Sequence, residues 1–150
     1  MDAITLYMPE ALFVSLGWKT IETRTHHRFK GLVGKRIAIH AAKKKLDESA
    51  IKALFAARDM RKLSLMDVMN LAQYANLCRG KIMCTTVVVS ADWWERCAER
   101  DRLFQRAMCD PYKKFLLFFD SIKALIRPIP IEHGGRGIFK VPGYLIEAGY

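Results

Sequence analysis

Three ionisable side chains, Lys19, Glu22 and Arg24, fall within six consecutive residues. The segment that carries them, Trp18 to Thr25, includes Thr20, Ile21, Thr23 and Thr25 and favours extended backbone. On an ideal strand, residues 20, 22 and 24 share one face and 19, 21 and 23 the other. Glu22 and Arg24 therefore point together. Lys19 joins them only if a turn or bulge intervenes. Two readings of the trio stand side by side. In one, Glu22 and Arg24 are a structural ion pair. In the other, Lys19 donates to a phosphate or base edge and Arg24 is a second anchor. Glu22 then accepts from a base amino group, or acts as a general base if burial raises its pKa.

Other residues carry similar pairs of readings. Trp18 either stacks on a base or packs in the core. His40 ends an alternating stretch, Arg36 to His40, and either satisfies a backbone carbonyl or transfers a proton. Lys43, with Lys44 and Lys45, is a solvated run or a set of phosphate contacts. Arg136 sits in a glycine-rich turn, Gly134 to Gly137, where it would close over a ligand or simply mark a hairpin. His26 and His27 are neighbours in a loop, and their side chains diverge. The four cysteines form no CxxC and have no histidine nearby, so no metal site is expected. They read as reduced, which suits cytoplasm. Neither GxxxxGK[ST] nor GxGxxG occurs, and no cofactor is expected.

The elements that must position these groups follow from pattern. Residues 3–6 read as a first strand, and Pro9 and Glu10 suit the first turn of a helix. Residues 46–77 read as two helices, with Asp47 capping the first and Ser64 and Asp67 a capping box on the second. Ala50, Ile51, Leu54 and Phe55 are expected to face inward. Thr85 to Val89 is the strongest strand signal. Asp92 is expected to cap a helix over 93–108. Tyr112 to Phe119 reads as strand, Pro128 and Pro130 demand an extended, edge-like path, and residues 138–141 form a last strand. Pro142 and Gly143 turn the chain away.

Of the 150 residues, 51% are apolar, enough for one domain with its own core and against extensive disorder. No apolar run approaches a membrane span, and no secretory leader is visible. The net charge is +10, with a pI near 9.7. Residues 18–45 hold nine lysines and arginines against one acid. Such a field attracts polyanions.

Gly17 to Arg24 resembles the GxKxxExR signature of the ASCH family, named for the homology domain of activating signal cointegrator 1. Leu6 to Ala11 resembles the family's opening, where Gln-Pro-Trp-Ala is typical. Residues 34–43 resemble its second block, and 128–131 with 137–142 its closing strands. The resemblance spans nearly the whole chain and is least constrained in the helical middle. It implies an α+β fold, a PUA-like small mixed β-barrel with flanking helices, over a single domain, 1–150. It also implies RNA binding in a cleft beside the barrel. Some bacterial relatives hydrolyse N4-acetylcytidine with a lysine, a threonine three positions later and a distant glutamate, and others are linked to ribonuclease activity. Lys19 matches the lysine, whereas Glu22 stands at the threonine's place. Met8 and Glu10 also depart from the usual glutamine and tryptophan.

The sequence thus leads to RNA or a modified nucleoside as partner, with DNA as a further possibility and no membrane. The expected ligand-binding residues are Trp18, Lys19, Glu22, Arg24, His40, Lys43 and Arg136. The alternative is a hydrolase for an N4-acylated cytidine, or a ribonuclease. Lys19 and Glu22 would then be catalytic.

Overall fold

The β-branched run at residues 85–89 lies inside a long strand, β4 (Lys81–Trp93), around which a six-stranded mixed sheet is built. The other strands are β1 (Asp2–Leu6), β2 (Ile21–Arg24), β3 (Arg36–Ala41), β5 (Phe115–Pro130) and β6 (Phe139–Lys140). The computed structural model describes residues 1–132 and 136–150. The expected glycine turn therefore lies partly outside the described residues, at Gly134 and Gly135.

Strand order is β2-β5-β4-β3-β1-β6. β1 runs parallel to β3, and the other pairings are antiparallel. The expectation of a barrel is overturned. The sheet is open, and among the described residues no ladder joins β2 at one edge to β6 at the other. β2 pairs four residues with β5, and among the described residues β6 pairs only with Asp2 and Ala3. The Thr5 carbonyl of β1 accepts from the Arg24 side chain, so a side-chain contact stands where a closing ladder would run. The α+β character and the flanking helices are present.

Among the described residues, five helices flank the sheet: α1 (Glu10–Ser15), α2 (Glu48–Arg61), α3 (Leu65–Leu77), α4 (Arg100–Ala107) and α5 (Gly143–Gly149). The side chain of Asp47 accepts from the Ala50 amide at the start of α2, and Ser64 with Asp67 closes a capping box on α3. Phe13 of α1, Leu54 and Ala57 of α2 and Val68 of α3 form one cluster. Ile21, Leu103, Ala107 and Leu116 form another, which ties α4 to β2 and β5.

Three details differ from the pattern-based expectation. Ile51 and Phe55 are 41% and 42% exposed. The buried stripe of α2 runs through Ala50, Leu54 and Ala57, and the other two sit on its shoulder. The helix expected over 93–108 is shorter. Ala91, Asp92 and Trp93 stay in β4, paired with Leu117, Leu116 and Phe115, and α4 begins at Arg100. The chain beyond Pro142 forms α5 rather than a plain turn. The prolines, by contrast, lie where expected. β2 covers only Phe115–Phe118 of β5, so Pro128 and Pro130 fall on a stretch that β2 does not reach.

Candidate functional site

Lys19 reaches the site because a tight turn separates α1 from β2. Gly17 takes φ +77°, a left-handed conformation that favours glycine. The Trp18 and Lys19 amides both donate to the Phe13 carbonyl, and the Thr20 amide donates to Arg106. This turn supplies the condition that would let Lys19 meet Glu22. Lys19 is 1% exposed. Its Nζ donates to the Ala107 carbonyl at the end of α4 and lies 3.6 Å from Glu22 Oε1.

Glu22 and Arg24 share a face of β2, as strand periodicity requires. Arg24 Nη2 donates to Glu22 Oε2 and to the Thr5 carbonyl, each at 3.1 Å. The Thr23 amide donates to Glu22 Oε1 at 3.0 Å. The Arg24 guanidinium also lies over the Phe29 ring, 4.8 Å from its centroid. Arg24 Nε is buried and has no hydrogen-bond partner among the described residues. Through Thr5 the network continues to His40, whose Nδ1 is 3.0 Å from Thr5 Oγ1. Thr5 and His40 are register partners across the parallel β1–β3 pair, which explains their meeting.

Lys19, Glu22, Arg24 and Thr5 line a cleft of about 980 Å³. It occupies the gap between the β2 edge and the part of β1 that β6 does not cover. Arg24 bridges that gap with a side chain where a closed sheet would have a ladder. The walls and rim include Tyr7, Glu10, His26, Arg28, Cys109 and Arg136.

Glu10 is the electrostatic counterweight. Burial pushes its carboxyl above the ordinary value, the Glu22 charge adds to the rise, and Lys19 opposes it. His40 is held below its ordinary value, chiefly by burial, with the Gly80 backbone acting the other way. His26 is also lowered, by burial first and then by Arg28 and Arg24. Among the described residues no group of three or more His, Cys, Asp or Glu is placed to hold a metal ion.

The expected site residues divide by position. Lys19, Glu22, Arg24 and Arg136 line the cleft. His40 lies behind it, joined through Thr5. Trp18 lies elsewhere, its ring stacked on Phe13 and covered by the Arg61 guanidinium. Lys43 borders a different hollow, with its Nζ donating to the Glu132 carbonyl. Sequence reasoning gave Tyr7, Glu10 and Cys109 no ligand role. For Glu10 a signal was present, since the acid opens a short helix whose next four residues are all apolar.

No protein-family model and no curated protein sequence matches the chain. Solved structures do. The crystal structure of ASCH from Zymomonas mobilis matches with a TM-score of 0.51 and 12% identity, over 97% of this chain and 90% of that one. A serine-to-alanine variant of the same protein gives 0.52, with 12% identity and coverage of 98% and 92%. A tyrosine-to-phenylalanine variant gives 0.54, with 12% identity and coverage of 98% and 94%. This chain has the ASCH fold. The similarity runs across nearly all of both chains. Among the described residues, no helix is long and apolar enough to cross a membrane.

Proposed function

We propose that the chain is a member of the ASCH family and binds RNA, with a nucleoside unit held in the cleft between β1 and β2. The observation that carries this reading is the Lys19–Glu22–Arg24 trio in the cleft, with Lys19 and Glu22 buried and Arg24 half-buried. Charged groups this deep are costly unless paired, and here each is paired. The pairs leave capacity over. Lys19 has three N–H donors, and Arg24 keeps donors beyond those it gives to Thr5 and Glu22. A base edge offering carbonyl oxygens and an amino group can meet both signs of charge on this floor. Arg28 and Arg136 at the rim are exposed and suit phosphates.

The test is a titration of binding to short single-stranded RNA across a range of salt. Affinity is expected to fall steeply as salt rises, with a logarithmic slope of about −0.7 per phosphate neutralised. Absence of binding, or binding indifferent to salt, would overturn the reading.

One observation favours a second reading, hydrolysis of an N4-acylated cytidine. Lys19 Nζ and Glu22 Oε1 are 3.6 Å apart on the floor of a cleft large enough for a nucleoside. In that reading these two residues act on a bound amide and a water molecule. Incubation with N4-acetylcytidine decides it, and unchanged substrate with a folded protein rejects it.

A further inference from the structure

Tyr7 is 63% exposed, although Leu6 and Met8 on either side of it are buried. It lines the large cleft and also a neighbouring hollow of about 270 Å³, which Lys44, Lys45, Asp47 and Ala50 help to form. Glu10 lines both as well, so the two hollows meet along a ridge made by Tyr7 and Glu10. Lys44 Nζ stands 5.0 Å from the Tyr7 ring centroid and 3.0 Å from Asp47 Oδ2. The lysine thus has a carboxylate partner to return to when something else covers the ring. Lys45 is exposed beside it.

An exposed aromatic face where two hollows join suits a nucleobase. Stacking on an aromatic ring tolerates any base, because every base has a π-face. A single nucleoside in the cleft leaves the neighbouring hollow unused. We propose that Tyr7 is a stacking platform for a second base. The site then takes single-stranded RNA of two or more nucleotides rather than a free nucleoside. Its strand runs from the cleft, across Tyr7, towards Lys44 and Lys45. This inference rests on the RNA reading of the cleft and adds the ligand's length and path.

The experiment compares cytidine monophosphate with a single-stranded tetranucleotide. The proteins are the wild type, Tyr7→Ala, Tyr7→Leu and Tyr7→Phe, each checked for an unchanged melting temperature. The wild type is expected to bind the tetranucleotide more tightly. Tyr7→Ala should weaken tetranucleotide binding about tenfold, as loss of one stacked base does, and weaken the monophosphate much less, because Tyr7 only edges the cleft that would hold it. Tyr7→Leu keeps apolar bulk without the π-face and should behave like the alanine variant. Tyr7→Phe should behave like the wild type. A tetranucleotide affinity that survives Tyr7→Ala, or a wild type indifferent to length, overturns the proposal while leaving the cleft reading intact. Failure of the wild type to bind either ligand overturns both.

Discussion

Lys19 carries a positive charge to a place that water barely reaches, and Glu10 lines the same cleft. The two acids near Lys19 are not equivalent. Glu22 is locked by Arg24 and the Thr23 amide. Glu10 is desolvated, and its carboxyl is raised. The folded chain therefore binds the Glu10 proton more tightly than the unfolded chain does. As pH rises from the ordinary value of 4.5 through the raised one, this group removes stability from the folded state. Glu10→Gln abolishes that loss. The variant is expected to melt above the wild type near pH 7, and the two curves should converge below pH 4.5. Equal melting temperatures throughout would mean that Glu10 is not desolvated. The trio of Lys19, Glu22 and Arg24 was legible in the sequence because spacing alone aligned two of its members and named the turn that the third required. Glu10 was not legible, because its environment is made by β2 and the turn before it, brought alongside α1 only by folding.

At the scale of elements, local chemistry specified what it could reach. Asp47, Ser64 and Asp67 announce the starts of α2 and α3, since capping is a contact over three residues. The inner face of α2 was only half legible. Ala50, Ile51, Leu54 and Phe55 all fit an apolar stripe by type, and only the position of α1 and α3 decides which of them is covered. Paired substitutions expose the difference. Leu54→Ala removes a side chain that is 1% exposed and is expected to cost about 2–5 kcal/mol. Phe55→Ala, at 42% exposure, is expected to cost about 1 kcal/mol or less. Denaturant unfolding of the two variants measures both, and equal losses would place Phe55 in the core. The segment at 91–93 misled for a similar reason. A capping aspartate before two tryptophans suits a helix start, but the partner strand β5 offers ten paired positions, and those long-range pairs keep the segment extended.

For the whole molecule, the open sheet and the uneven charge act together. Closure could not be read from the sequence, because strand number and turn residues do not reveal which edges meet. The observed opening has a consequence that a closed barrel would lack: the gap between β2 and β1 is itself the cleft, bridged by Arg24. The net charge of +10 is not spread evenly around that gap. Arg28 and Arg136 stand on its rim, whereas Lys52 on α2 and Arg127 on β5 are exposed and line no part of it. Two double variants therefore separate the local field from the total charge, since both change the net charge by the same amount. Arg28→Glu with Arg136→Glu removes two cations from the rim. The salt slope of RNA binding should become shallower by about 1.4, the contribution of two phosphate contacts to a single strand. Lys52→Glu with Arg127→Glu should lower affinity only modestly and leave the slope near its wild-type value, because screening confines each charge to about 10 Å at ordinary ionic strength. Equal slopes in the two variants would mean that RNA responds to the chain's overall charge and not to the cleft, and the strand would then have no defined path over this surface.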